Sequence, residues 1–480
     1  MPSSGIRRLV GNATSLLASD IANRATTFLL YALVARYLGA FHFGQLAVAL
    51  TLLSTCQFIA VGGLKMYGTR EVTRDRDRTN QFLMNGSLVV LGLSVLCISF
   101  LAAFVRTVNY SHDTAGIIVL LSLALIPYSL SAITEAIFQA WERMQYIAYA
   151  NLAAQAVKVG GAVLVIQRGH GLYGLALVIL AAHLLALLIN WLFLLFMAKD
   201  LRFSLDSGFA RHLLKSGSPF LGMDVAVGIM GSANIVLLSK VAGESEAGLY
   251  NATTQLMVPI ALLLQNGVLS ALPALCRKFE PSFRNLKRMV ENLIEVLLAI
   301  ALPAALGLAL VARPALLLLY DRPEFAQAAT ALRIIVWTLV LGAMTPVLTL
   351  VLVASHQEKT TLRILLVDLV ACVVLGAVLI PWLGASGAAL ALLLTKLIDF
   401  VQQYKRVRAL FRITVGRLAW RPAVASACMA VPLLALRGQS AIVAVAAAVV
   451  LYFTVLFALA VWSAGGTHQL RAQYVYGWSD

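Results

Sequence analysis

Fourteen apolar stretches of about 18 residues or more follow one another along this chain, each long enough to cross a hydrocarbon core of roughly 30 Å as a helix. Lipid offers no partner to an unpaired backbone amide, so a spanning chain must become a helical bundle or a closed barrel, and unbroken apolar runs select helices. The expectation is an all-α polytopic membrane protein with about 14 transmembrane helices. The spans are read as 14–38, 43–64, 81–104, 116–139, 145–167, 172–197, 214–239, 247–271, 288–311, 326–353, 359–381, 386–403, 420–436 and 440–463. Composition agrees, with 61% of the 480 residues hydrophobic and 12% charged, far from a soluble domain. Arg7 and Arg8 precede the first span, which contains Asp20 and Arg24 and ends in no small-residue cleavage site, so it is expected to stay as a helix and not to be removed as a signal peptide.

Lysine and arginine placement sets a direction. Short cytoplasmic loops collect positive charge. With the N-terminus inside, 26 of the 37 basic residues fall in cytoplasmic segments, 7 outside and 4 within spans. Missing one span in mid-chain would destroy that alternation, so both termini are expected in the cytoplasm. The net charge of +16 then belongs mostly to the cytoplasmic face, where it attracts anionic lipid headgroups; no nucleic-acid motif accompanies it. The five cysteines lie far apart, without metal-ligand spacing, and read as small packing residues.

The chain also repeats itself. With an offset of 204, residues 15–64 recur at 219–268, placing Asp20 on Asp224, Ala22 on Ala226, Arg36 on Lys240, Gly39 on Gly243, Gly44 on Gly248 and Gly63 on Gly267. Later, with an offset of 213, Gly171 and Gly174 fall on Gly384 and Gly387, and His183 on Lys396. Apolar segments resemble one another cheaply, but here the rare residues coincide. The offset spans six crossings, an even number, so the copies keep one orientation and an axis along the membrane normal relates them. Two pseudo-symmetric six-helix bundles are expected, an N-lobe at 1–213 and a C-lobe at 214–410, with two appended C-terminal helices and a cytoplasmic tail at 411–480.

Ionisable groups inside spans carry the functional expectation. Each costs on the order of 3 kcal/mol at bilayer depth by insertion scales, so each should face a partner or a wet cavity. They are Asp20 and Arg24 on the first helix, Glu135 on the fourth, Lys158 on the fifth, Asp224 on the seventh, Arg333 on the tenth, Asp368 on the eleventh, and Lys396 with Asp399 on the twelfth. Asp20 with Arg24 and Lys396 with Asp399 are spaced to pair along one helix and neutralise each other for insertion. Lys158 and Arg333 have no such neighbour and point to a positive cavity, although Arg333, about two turns inside its span, can also snorkel outward. Arg24, Lys158, Arg333 and Lys396 are the candidate substrate-binding residues, for a diphosphate or acidic sugar. Asp20, Asp224, Asp368, Asp399 and Glu135 are candidates for coupling or charge balance. His183 is expected to pack or hydrogen-bond within its helix. Arg70, Glu71, Arg74, Asp75, Arg76, Asp77 and Arg78 read as a mixed-charge cytoplasmic loop that sets topology.

No HExxH, no GxxxxGK[ST] and no nucleophile elbow occurs. Gly169-His-Gly-Leu-Tyr-Gly174 satisfies GxGxxG but joins two apolar spans, so it reads as a helix-loop turn. Neither enzyme chemistry nor a cofactor is expected.

Ala35-Arg36, Leu38-Gly39 and Phe43-Gly44 in the first outer loop, Arg70-Glu71 at the inner end of the second helix, and the echo from Lys240 to Asn251 resemble the signature of polysaccharide and O-antigen (Wzx-type) flippases. These belong to the multidrug, oligosaccharidyl-lipid and polysaccharide exporter superfamily. The resemblance implies a flippase of the bacterial inner membrane that carries a polyprenyl-diphosphate-linked oligosaccharide, such as an O-antigen or exopolysaccharide repeat unit, by alternating access. It implies membrane lipids, a polysaccharide polymerase and chain-length machinery as partners, and no nucleic acid. The alternative is a proton- or sodium-coupled multidrug antiporter of the same superfamily, which would favour a carboxylate-dominated cavity. A glycan polymerase or ligase would need a long external loop, and none is seen; a scramblase or scaffold stays open.

Overall fold

A computed structural model describes residues 3–197, 206–277, 283–355, 357–411, 414–435 and 441–464; at 3–22 and a few other helical positions it describes the backbone alone. The first part of the chain forms α1 (Ser3–Val61), α2 (Leu64–Arg74), α3 (Thr79–Thr107), α4 (His112–Ser122), α5 (Leu125–Ala140), α6 (Met144–Gln167), α7 (Gly171–Met197) and α8 (Ser207–Val241). It continues with α9 (Glu244–Arg277), α10 (Phe283–Leu310), α11 (Ala312–Tyr320), α12 (Ala329–Ile335), α13 (Thr338–Ala354), α14 (Glu358–Phe411), α15 (Val415–Ala435) and α16 (Ala441–Ala464). No strand occurs among the described residues.

Twelve stretches of the described residues are long and apolar enough to cross a membrane. Two of them, Asn23–Arg74 and Lys359–Leu410, are 52 residues long. At 1.5 Å per residue each would measure about 78 Å, twice what a bilayer needs. Each is broken at a glycine with non-helical backbone, Gly39 (φ 81°, ψ 176°) and Gly384 (φ 55°, ψ −132°). Counting each as two crossings gives fourteen, as the apolar pattern predicts.

The repeat is visible in the backbone. Positive φ occurs at Gly39 and Gly243 (81° and 96°) and again at Gly171 and Gly384 (61° and 55°), two pairs that the offsets 204 and 213 bring into register. Only glycine enters this region without a steric penalty, so both copies place glycine where the backbone turns to positive φ. Gly169, also at positive φ (70°), and Gly171 form the turn between α6 and α7 where GxGxxG occurs.

The chain packs as two compact units. The first comprises 1–251 with 372–385, the second 252–371 with 386–480. These boundaries fall at other residues than the lobes expected from the repeat, and the lobe division remains a proposal. In the first unit α1 packs against α3, α4, α5, α6 and α8, and α2 lies on α5. Leu64, Phe82, Ile133, Ile137, Phe138 and Leu213 form a buried cluster there. Leu96, Phe100 and Phe196 point outward, the arrangement expected where lipid is the solvent. Asp206 caps α8, its carboxylate accepting from the amides of Gly208 (2.8 Å) and Phe209 (3.3 Å).

In the second unit α10 packs on α13 and α15, and α15 on α16. The last two helices are fastened to α10 by an ion pair, Arg421 Nη1 to Glu295 Oε1 at 2.9 Å, and by the Tyr452 hydroxyl donating to the Ala299 carbonyl at 2.5 Å. Met429, Leu433 and Tyr452 fill the contact.

Candidate functional site

The long helix α1 stops at Val61 because two glycines follow. Gly63 takes φ 68°, and α2 starts immediately after it. The amide of Gly63 donates to Asp224 Oδ2 of α8 at 3.1 Å, so an intramembrane carboxylate sits at the positive end of α2. Gly62 packs so closely on α8 that a Cβ there would lie 2.2 Å from Leu221 Cδ1. On the other side of α2 a Cβ at Gly68 would lie 1.8 Å from the Phe82 ring, so this short helix is seated tightly on its neighbours.

These contacts leave a cavity of about 660 Å³ in the first unit, walled by Gln57, Phe58, Lys65, Tyr67, Arg70, Tyr128, Gln139 and Asp224 among others. That volume lies in the range of ligand-binding cavities. Its charged wall consists of Lys65, Arg70 and Asp224. Lys65 Nζ donates to Glu135 Oε2 of α5 at 2.5 Å. Arg70 is exposed and makes no ion pair among the described residues. The chamber can therefore accept an anionic group, with Gln57, Gln139 and two tyrosines as neutral polar groups in a wall otherwise made largely of apolar residues such as Phe58, Val61, Met66 and Met223.

Tyr128 connects the chamber to a third cation. Its ring lies 5.9 Å from that of His183, whose Nδ1 is 2.8 Å from the Ile179 carbonyl, the intrahelical bond expected for it. Lys158 of α6 is close enough to His183 to act on it electrostatically. Lys158 makes no ion pair among the described residues. Gln155, one turn earlier, donates through its amide to Asn23 Oδ1 of α1 and accepts from Thr26 at 3.0 Å. Arg24, half-buried, follows Asn23, so Arg24 and Lys158 both lie within about one helical turn of this polar clasp between α1 and α6. The side chain of Asp20 lies outside the described residues.

The second unit holds the remaining expected residues. Lys396 Nζ is 3.9 Å from Asp399 Oδ2, the intrahelical pair anticipated from the spacing. Gln403 donates to Asp399 at 2.5 Å and Gln402 to Asp368 at 3.2 Å, while Thr349 donates to Gln403 Oε1 at 2.9 Å. Asp368 and Asp399 are only 4% and 8% exposed, and these amides supply the donors that buried carboxylates require. Arg333 is exposed in the last turn of α12. Thus Arg24 and Lys158 belong to one unit, and Arg333 and Lys396 to the other.

Two chamber residues escape a reading of the sequence. Lys65 counts there as a loop charge and Arg70 as part of a mixed-charge loop, yet residues 64–74 form α2 and present both to the cavity. The one available signal is Gly62-Gly63 followed by Leu64, Gly68 and Val72, an i, i+4, i+8 stripe that the structure buries.

At the opposite end of the Ala40–Val61 segment the same unit is shut. A Cβ on Gly44 would lie 1.7 Å from the Glu244 carbonyl oxygen, and a Cβ on Gly248 would lie 2.0 Å from the Ala40 carbonyl oxygen. Ala40 and Glu244, like Gly44 and Gly248, are related by the offset of 204, so the repeat-related backbones touch each other symmetrically. The Glu244 carboxylate accepts from Thr114 Oγ1 (2.5 Å), Gln45 Nε2 (3.3 Å) and Ser111 Oγ (3.4 Å). Beside it Lys240 Nζ sits 3.6 Å above the Tyr110 ring and donates to the Asn109 carbonyl at 3.1 Å.

The family model described as polysaccharide biosynthesis protein matches residues 9–278. Sequence comparison with curated proteins finds no match. Among solved structures, the chain is similar to the lipid II flippase MurJ in an inward closed conformation, with a TM-score of 0.77 at 14% identity, covering 92% of this chain and 97% of that one. It is also similar to an inward-facing multidrug resistance MATE family transporter of the MOP superfamily, with a TM-score of 0.64 at 13% identity over 82% and 96% of the two chains. A MOP superfamily transporter from Pyrococcus furiosus, described by the reverse polarity of its binding pocket, matches with a TM-score of 0.50 at 15% identity over 84% and 94%. At these identities the likeness establishes the fold.

Proposed function

Since the chain belongs to the polysaccharide biosynthesis protein family of membrane transporters, we propose that it carries a polyprenyl-diphosphate-linked oligosaccharide, an O-antigen or exopolysaccharide repeat unit, across the bacterial inner membrane by alternating access. The observation that carries this reading is the chamber of about 660 Å³ whose wall presents Lys65 and Arg70 beside neutral polar side chains. A headgroup with two phosphates needs fixed positive charge out of bulk water, and an oligosaccharide needs hydrogen-bonding walls. The polyprenyl tail stays in lipid. Arg24 and Lys158 in the first unit, and Arg333 and Lys396 in the second, are the further cations that this reading assigns to substrate binding. Asp20, Asp224, Glu135, Asp368 and Asp399 balance these charges or couple transport to an ion gradient. Both termini face the cytoplasm in this reading, and a polymerase and chain-length machinery receive the product.

Energy need not come from a nucleotide. A headgroup of charge about −2 leaving a negative-inside cytoplasm gains roughly 4 to 5 kcal/mol at 100 mV, at about 2.3 kcal/mol per charge. The test is translocation in proteoliposomes of a defined lipid-linked oligosaccharide against a cationic drug, under an imposed potential. Transport of the glycan, accelerated by an outside-positive potential, supports the proposal; transport of the drug alone replaces it with the antiporter reading. Arg24→Ala should abolish glycan export while leaving membrane insertion intact, and retained export removes Arg24 from the path.

A further inference from the structure

Lys65 faces two environments. On one side its ammonium is held by Glu135; on the other it forms part of the chamber wall. The pair is only partly withdrawn from solvent, with the Lys65 side chain 34% exposed and Glu135 15%. Lysine has three donors and Glu135 takes one, so the ammonium can turn to a second acceptor without leaving its helix. Arg70, five residues along α2, lines the same cavity with no acidic partner among the described residues. The chamber thus holds one cation with no acidic partner among the described residues, one engaged by a carboxylate that does not itself line the cavity, and Asp224, whose carboxylate accepts from the Gly63 amide.

A carboxylate placed in this way competes with any anion that enters. Attraction scales with the product of the charges, so a headgroup of charge about −2 can draw the ammonium away from Glu135, whereas a headgroup of charge −1 is matched by the carboxylate already there. Anionic phospholipids with one phosphodiester, such as phosphatidylglycerol, carry a single net negative charge and are present in vast excess around a membrane protein. Resting on the flippase reading above, we propose that Lys65 exchanges Glu135 for the diphosphate of the lipid carrier, and that Glu135 is the internal competitor that excludes monoanionic phospholipid headgroups. Arg70 supplies the first fixed charge and Lys65 the one that discriminates.

The experiment measures binding of a short isoprenoid diphosphate and of phosphatidylglycerol to the purified full-length chain in neutral detergent. The wild type is expected to prefer the diphosphate. Glu135→Gln frees Lys65 and should let phosphatidylglycerol bind roughly ten-fold or more tightly, eroding the preference, on the scale of one charge-assisted hydrogen bond. Lys65→Met alone strands a half-buried carboxylate and can fail to fold, so the double variant Lys65→Met with Glu135→Gln removes both charges. It should stay folded and lose roughly ten-fold or more in diphosphate affinity. Wild-type binding of the diphosphate with an unchanged preference in Glu135→Gln, or unchanged affinity in the double variant, overturns the exchange and leaves the flippase reading standing. A folded wild type that binds no isoprenoid diphosphate overturns both.

Discussion

The two ends of the segment from Ala40 to Val61 use glycine in opposite ways. At one end Gly44 meets Gly248 backbone to backbone, Cβ positions filled by carbonyl oxygens, and the neighbouring carboxylate of Glu244 is saturated by Thr114, Ser111 and Gln45. At the other, Gly62 and Gly63 end the helix beside a chamber lined by Lys65, Arg70 and Asp224, where Lys65 pairs with Glu135, Asp224 accepts from the Gly63 amide, and Arg70 makes no ion pair among the described residues. One end spends its polar groups on the protein itself; at the other, Arg70 is left for the anion that we propose enters there. The flippase reading proposed above needs both, because under alternating access a shut end gives the open end its direction, and a shut end that must reopen is better built from close packing and hydrogen bonds than from a broad apolar seam.

The comparison can be broken most severely at the glycine contact. Gly44→Ala or Gly248→Ala places a methyl group where a carbonyl oxygen stands, and backbones must part; overpacking of this kind costs about 1–3 kcal/mol or more. Either variant should lower the thermal midpoint and abolish directional transport. Gly92→Ala, with nothing within 4 Å, should be neutral or slightly stabilising and serves as the control. Normal transport by Gly44→Ala would show that the shut end never needs to close this tightly.

Glu244→Gln sharpens the same end. It keeps the shape but replaces a charged acceptor that serves three side chains, at about 1–3 kcal/mol. Faster amide hydrogen exchange should appear at Ser111–Thr114, while the chamber amides around Gly63 stay unchanged. An equal rise at both ends would mean that the substitution loosens the whole unit and not the shut end.

At the open end the effect is smaller. Asp224→Asn keeps an acceptor for the Gly63 amide but removes the charge at the start of α2, which is about 0.3–1 kcal/mol of charge–dipole interaction. The thermal midpoint should fall by only a degree or two, with the fold intact. Smallest of all, Arg78→Ala removes exposed ion pairs with Glu71 and Asp75 just beyond α2, worth about 0.2–1 kcal/mol, and should leave transport unaltered.

Glu135 shows how far the sequence reaches and where it stops. A carboxylate inside an apolar span announces that a partner or a cavity exists, and that much is legible. Its partner is 70 residues away, on a segment whose mixed charges read as a loop. Hydropathy falls between residues 62 and 78 whether the chain is looped or forms a short helix with one face buried, and only the neighbours of Gly68 and Val72 decide between them. Lys396 and Asp399 were simpler, because both partners sit on one helix and spacing alone brings them to 3.9 Å.

Periodicity and rare residues determined by themselves that this chain is a many-spanning helical protein built from two related copies, because lipid permits few backbone solutions and positive-φ turns admit little but glycine. Which charges face each other, which glycines touch and which lysine looks into a chamber were decided by tertiary structure alone. Those outcomes depend on how helices distant in sequence are rotated and pressed together, and an apolar segment constrains its own length far more than the azimuth at which it meets its neighbours.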